Sequence, residues 1–388
     1  MRQLIILSLI ILLELLIPAS NAQAQMPLSD SAIASVITCG PGNDFYLAFG
    51  HSAIRICDPT QDIDYVYNYG TFDFDTPHFY LKFARGRLDY CLSRTSFSHF
   101  MLVYEHERRA VWEQPLNLDP QQVSNLYVML EWNYLPANRY YRYDFFRDNC
   151  ATRVRDMVEN AMGHTPPIYS KDYVSRSYRR HVHLSAGPTQ QWWTLGVDML
   201  LGLPADHRCD VREVMFHPIH MKDIFENSTI GGRGDGKAMV KPAIQHLQDV
   251  REPLRRSFPP LVVFTLFFIV VTLLTWKGIW PRWADRILFV LAGLVGLFLC
   301  FMWFGTDHYC TAWNLNILWA SPLLLLIALR HDRSPRWALW LQLACFAVAA
   351  GWVLVCGLST ALLPLILALA LRVACLIPKK QQQRQLPH

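Results

Sequence analysis

No Cys-x-x-Cys pair and no histidine-rich ligand spacing occur in this chain, which excludes the usual structural zinc site. No metal and no cofactor is expected. A basic stripe interleaved with aromatics is also missing, and the net charge is only +5, so nucleic acid is excluded as a partner. No cysteine follows the small-residue motif Ala22-Gln23-Ala24, so the chain does not carry the mark of a lipoprotein itself. Lys and Arg are absent from two short stretches, Gly305–Cys310 and Cys356–Thr360, and charge as a whole becomes sparse after Phe258.

What is present accounts for these gaps. Arg2, the apolar run Leu4 to Ile17 and the Ala22-Gln23-Ala24 site read as a secretory signal over residues 1–24, an uncleaved anchor being the rival reading. Residues 25–250 have the dense charge, proline and aromatics of an exported globular domain. Five apolar segments follow within 251–380, at 258–276, 287–305, 311–329, 336–355 and 359–377, each near the about 20 residues that span a bilayer. Lys277, Arg282 and Arg286 lie between the first and second, and Arg330, Arg333 and Arg336 between the third and fourth. Lys379, Lys380 and Arg384 follow the fifth, so residues 381–388 form a cytoplasmic tail. Positive charge stays in the cytoplasm, and the two linkers without it face outward with the exported domain. Arg251, Arg255 and Arg256 run against the rule, but a long translocated domain crosses largely regardless of flanking charge. The expected location is a bacterial inner membrane, with the globular domain in the periplasm.

Five cysteines, at 39, 57, 91, 150 and 209, fall in the exported domain, and an odd number in an oxidising compartment leaves at least one free. Cys150 is the one to leave free. An extended aromatic run from Tyr140 breaks at Asp148-Asn149, both good N-caps, and a helical pattern with Val154, Met157, Val158 and Ala161 on one side follows. Cys150 therefore starts a helix, where backbone N–H groups and the dipole are expected to lower a thiol pKa from about 8.5. A thiol nucleophile needs a base, and the base an orienting partner. His51, at the start of a strand behind Gly50, is the candidate base. Asn68, on the next strand Asp64–Tyr69, is the candidate orienter, with Tyr69 or Asp73 as alternatives. Each of these residue types, taken alone, also suits a purely structural role.

Other elements are read more coarsely. Thr71 to Tyr80 is expected as a loop, Phe83 to Thr95 as a strand pair and Arg108 to Leu116 as a strand. Asp119-Pro120 opens a helix to Asn133. A helix is expected over Gln190 to Gly202, a loop over Ser228 to Gly236, and a short helix over Ala238 to Val250.

Phe49-Gly50-His51-Ser52, Tyr67-Asn68-Tyr69-Gly70 and Asp148-Asn149-Cys150-Ala151-Thr152-Arg153 together resemble the circularly permuted NlpC/P60-type cysteine enzymes, which include the lecithin:retinol acyltransferases. Over nearly all of residues 30–380 the chain resembles the Bacteroidetes lipoprotein N-acyltransferase family Lnb. Trp192 to Gly202 with Asp206, Phe216–Pro218, and His308 with Asn314-Leu315-Asn316-Ile317-Leu318-Trp319 share in that likeness. The resemblance implies an α+β fold, a permuted papain-like periplasmic domain followed by five transmembrane helices. It also implies acyl transfer from a phospholipid donor to the amino-terminal cysteine of diacylated lipoproteins. A cell-wall peptidase or amidase with the same dyad, and a scaffold without catalysis, are the competing readings.

Polar residues at membrane depth add a second line of argument. Asp307 and His308 fall in the outer linker after the second span, and Asn314 and Asn316 one to two turns into the third. Such groups are costly in lipid and tend to face a pathway, which marks them as substrate-binding candidates together with Tyr69. Interface anchoring and interhelical bonds are the alternative roles.

Overall fold

The computed structural model describes residues 28–44, 47–171, 173–186, 190–231, 236–252, 257–356 and 359–377. The expected signal segment 1–24 and the tail 381–388 lie outside the described residues. Alternating apolar side chains build β1 (Ile33–Cys39), β2 (His51–Asp58) and β3 (Ile63–Thr71). After them come α1 (Phe79–Ala84), β4 (Asp89–Ser96), α2 (Phe97–His106), β5 (Val111–Pro115), α3 (Pro120–Tyr134), β6 (Tyr140–Arg142) and α4 (Cys150–Met162). The N-terminal part is completed by β7 (Pro167–Ile168), α5 (Tyr178–Ala186), α6 (Gln191–Leu200), α7 (Val211–Val214), α8 (Pro218–Glu226), β8 (Thr229–Ile230), β9 (Lys237–Ala238) and β10 (Ile244–Leu247).

Seven strands form one antiparallel sheet in the order β10-β5-β1-β2-β3-β4-β6. Both faces of its centre are buried. Val36, Ile54, Ile56 and Tyr67 face α3 and α4 through Leu126, Leu130, Val154 and Val158. On the opposite face, Ile37, Ala53 and Val66 pack under Phe100 and Tyr104 of α2. The period-2 alternation thus feeds two cores from one set of strands.

The helical part contains α9 (Pro260–Trp276), α10 (Arg282–Phe304), α11 (Leu323–Arg330), α12 (Arg336–Cys356) and α13 (Leu362–Cys375). Three segments, Arg282–Phe304, Tyr309–Arg333 and Arg336–Val355, are long and apolar enough to cross a membrane, and α9 and α13 are shorter apolar helices. The expected third span is not one continuous helix. It runs through two 3-10 turns, Tyr309–Thr311 and Leu315–Leu318, before α11 begins. Irregular backbone at such depth is tolerated where protein surrounds it. Asn314, Asn316, Trp319 and Ala320 are accordingly buried. At the end of the bundle remote from the globular domain, Asp285 accepts two bonds from Arg372 at 2.8 and 2.9 Å and one from Trp280, tying α10 to α13.

Two further expectations are corrected. Phe83 to Thr95 is not a strand pair: it is the end of α1, a turn at Gly86 and the single strand β4. The stretch Ala238 to Val250 is not a helix, because Ile244–Leu247 pairs with β5 and supplies the sheet edge that β5 otherwise lacks.

Candidate functional site

The site begins at a helix start. Asn149 Oδ1 accepts the backbone N–H of Ala151 (2.9 Å) and of Thr152 (3.0 Å), while Thr152 Oγ1 accepts that of Asn149 (2.8 Å). This reciprocal cap holds the first turn of α4, and Asn149 Nδ2 anchors it by donating to the carbonyls of Phe145 and Phe216. Asp148 pairs with Arg153 instead of capping.

The sheet brings the second component. At Gly50, φ is +80°, and a Cβ there would lie 2.4 Å from the Cys39 carbonyl oxygen, so only glycine turns the chain into β2 at this point. His51 follows, paired in register with Cys39. The backbone N–H groups of Ser52, Ala151 and Cys150 itself lie where they favour a Cys150 thiolate. The helix that Cys150 opens thus packs against the strand that His51 opens. Of the three orienter candidates, Asn68 is the residue bonded to His51, its Oδ1 accepting from His51 Nε2 at 3.2 Å. That bond fixes the proton on Nε2 and leaves the Nδ1 lone pair free to take one. Tyr69 instead accepts from Asn133 Nδ2 at 3.2 Å, and Asp73 sits exposed in the turn after β3, holding the Asp75 N–H. A bulge interrupts the β3–β4 ladder between Asn68 and Thr71, and Gly70 within it lies against Cys150.

The electrostatics correct the sequence expectation. Burial raises the Cys150 thiol pKa, and the nearby backbone N–H groups and the Arg109 cation only partly offset that. Burial, then Arg109, pushes His51 down to about 4. At neutral pH the pair therefore rests as neutral thiol and neutral imidazole. A helix N-terminus favours a thiolate where water also reaches the sulfur, and Cys150 is only 9 % exposed.

Two residues that sequence reasoning missed stand here. Tyr141 Oη is buried without a hydrogen-bond partner and lies 3.9 Å from the point where a Gly70 side chain would start, as Cys150 Cβ does at 3.7 Å. The signal for it was faint: the aromatic run before Asn149 alternates, and position 141 faces the cysteine. Arg109, 2 % exposed and donating to the Gly40 carbonyl, approaches only because β5 pairs with β1, a long-range contact with no local signature.

The membrane-depth candidates dock the two parts of the chain. Asp307 pairs with Arg87 (2.7 Å), its N–H donates to the Arg85 carbonyl, and His308 Nε2 donates to the Phe83 carbonyl at 3.2 Å. Asn314 Nδ2 donates to the carbonyls of Met199 and Leu200, and Asn316 Nδ2 to that of Asp198. These amides cap the C-terminal end of α6, whose last carbonyls have no partner within the helix. Gly202 N–H donates to the Cys310 carbonyl at 2.8 Å, and Asp198 accepts from His183, Arg179 and the Ser359 N–H. Tyr69 also lines a polar cleft of about 450 Å³ with Arg147, Asp148, Arg153 and Asp156, beside α4.

All five thiols of the globular domain are unpaired. No group of three or more His, Cys, Asp or Glu arranged to hold a metal occurs among the described residues. In comparisons with known proteins, a model of the Lnb N-terminal periplasmic domain matches residues 20–176, and one of the Lnb transmembrane domain matches residues 252–384. No curated protein and no solved structure matches the chain.

Proposed function

We propose a reaction for a chain that belongs to the Lnb family, with that family's periplasmic N-terminal domain and its transmembrane domain. The protein moves an acyl chain from a phospholipid ester, through a Cys150 thioester, to the α-amine of the N-terminal cysteine of a diacylated lipoprotein. The observation that carries this reading is the His51–Asn68 bond next to a thiol held at the capped start of α4, on a domain docked against apolar helices. All five apolar helices cross the inner membrane in this reading. The basic linkers lie at the end away from the docked domain, where Arg282 pairs with Asp332, and this agrees with a cytoplasmic face there.

In the first half-reaction, His51 Nδ1 takes the thiol proton as Cys150 Sγ bonds to the ester carbonyl carbon. Because thiol and imidazole both rest neutral, the proton moves as the bond forms, and no exposed thiolate waits in an oxidising compartment. The carbonyl oxygen gathers negative charge, for which the Cys150 N–H at the helix start and the unpartnered Tyr141 hydroxyl are the available donors. Collapse breaks the ester C–O bond, and the leaving lysolipid oxygen takes the proton from His51. In the second half, the lipoprotein amine bonds to the thioester carbon and gives a proton to His51. The C–S bond then breaks, and the proton returns to sulfur.

Mass spectrometry of lipoprotein N-termini tests the reading in cells carrying wild type, Cys150→Ala or His51→Ala. Loss of the third acyl chain in both variants is expected. Full triacylation in either one overturns it.

A further inference from the structure

We propose that the segment Phe72–Arg87 is a lip inserted among the acyl chains of the outer leaflet, and that an aromatic track leads from it to Cys150. The second half rests on the acyl-transfer reading; the first does not.

The lip exposes large apolar side chains, beside the exposed carboxylates Asp73 and Asp75, where a periplasmic surface has no reason to carry them. Tyr80 is 82 % exposed, Phe74 64 % and Leu81 56 %, clustered on one turn and one short helix. Contiguous exposed apolar side chains of this kind mark an interaction site. Lys82 and Arg85 are interleaved with them, the pairing of basic and apolar groups that suits a phosphate-bearing lipid surface.

Its position fits the same occupant. The lip is bonded to the residues that directly follow α10: His308 to the Phe83 carbonyl, Asp307 to Arg87 and to the Arg85 carbonyl. At that end of the helices Trp303 packs on Trp313 with ring centroids 5.0 Å apart, and Trp313 is itself largely exposed. Tryptophans gather at the headgroup level of a bilayer. The lip is therefore rooted at headgroup depth, within reach of the acyl chains beneath, and continuous with the surface the helices present to lipid.

From there the rings lead inward. Phe74 packs on Phe72 (5.0 Å), Phe72 on Tyr90 (5.3 Å), and Tyr90 stacks on Tyr143 (4.5 Å). The Tyr143 ring and Cys150 Cβ lie 3.8 and 3.7 Å from the point where a residue-70 side chain would begin, and glycine leaves that point empty. The track ends at Cys150.

The test uses full-length Cys150→Ala protein in nanodiscs of phosphatidylethanolamine and phosphatidylglycerol containing a phospholipid with a diazirine in its acyl chain. After illumination, peptide mapping is expected to find adducts within Phe72–Tyr90. Adducts confined to residues 259–377 overturn the lip. In the Cys150 protein, the Tyr80→Glu/Leu81→Glu variant is expected to lower thioester loading from bilayer phospholipid about tenfold relative to loading from a water-soluble short-chain ester. An unchanged ratio overturns the track. A wild type that never forms a thioester, with adducts still on the lip, removes acyl transfer and leaves the lip standing.

Discussion

Gly202 is a position where the globular domain and the membrane part meet backbone to backbone, and replacing it with alanine separates the effect of docking from that of chemistry. A Cβ at this residue would lie 1.7 Å from the Ala312 carbonyl oxygen and 3.1 Å from that of Thr311. Non-bonded carbon and oxygen need more than about 3 Å, so the two backbones must part by roughly 1.5 Å. That separation stretches the Gly202 N–H bond to Cys310 from 2.8 Å and the Leu203 N–H bond to Trp313 from 3.3 Å, past any useful length. It also draws the Gly202 carbonyl away from Arg179, which donates to it at 3.1 Å. Overpacking costs about 1–3 kcal/mol and each lost bond about 1, so the docked arrangement weakens by about 2–5 kcal/mol. Hydrogen exchange of the full-length protein in nanodiscs reads this directly. Amides of residues 201–203 and 311–313 are expected to exchange at least about 30-fold faster in Gly202→Ala, while β1–β3 keep their protection. Wild-type exchange at both stretches would refute the close approach and the docking built on it.

Two further outcomes follow from the site. Tyr141→Phe removes one hydroxyl and no packing, so kcat for thioester formation is expected to fall about ten- to a hundredfold with KM and melting temperature little changed; single-turnover loading measures it, and an unaltered kcat dismisses Tyr141 as an oxyanion donor. His51 and His181 are pushed down to about 4 and His217 to about 3, in each case chiefly by burial. Their folded pKa values lie below the unfolded value near 6.5, so the unfolded chain binds more protons on acidification. Stability is expected to hold above pH 6.5 and to fall progressively as pH drops toward 4, by up to about 3 kcal/mol for each such histidine. Thermal unfolding across this range checks it, and a melting temperature flat between pH 6.5 and 4 refutes their neutral burial.

Local chemistry made part of this legible. Asn149 was readable as a cap because only a few side chains reach the free N–H groups of a first turn, and β2 and β3 announced themselves by alternation. The aromatic segment before β4 misled, since a six-residue helix has too short a period to stand out among phenylalanines. The edge strand β10 was misread as helix because its four residues have no apolar alternation and depend on β5 for their conformation. That Asn314 and Asn316 bond the last carbonyls of α6 was not legible, because a sequence does not reveal that this helix end arrives beside them.

Composition and periodicity alone determined that a globular domain precedes a set of apolar helices, where charge must stay off the bilayer, and that Cys150 opens a helix. These rest on hydrophobicity and on bonds between residues at most four apart. Only the tertiary structure decided that His51 and Asn68 meet that helix start, that Arg109 and Tyr141 join them, and that the thiol rests protonated. Burial and long-range strand pairing set all three, and both belong to the assembled fold, since no stretch of chain carries its own dielectric or its own distant neighbours.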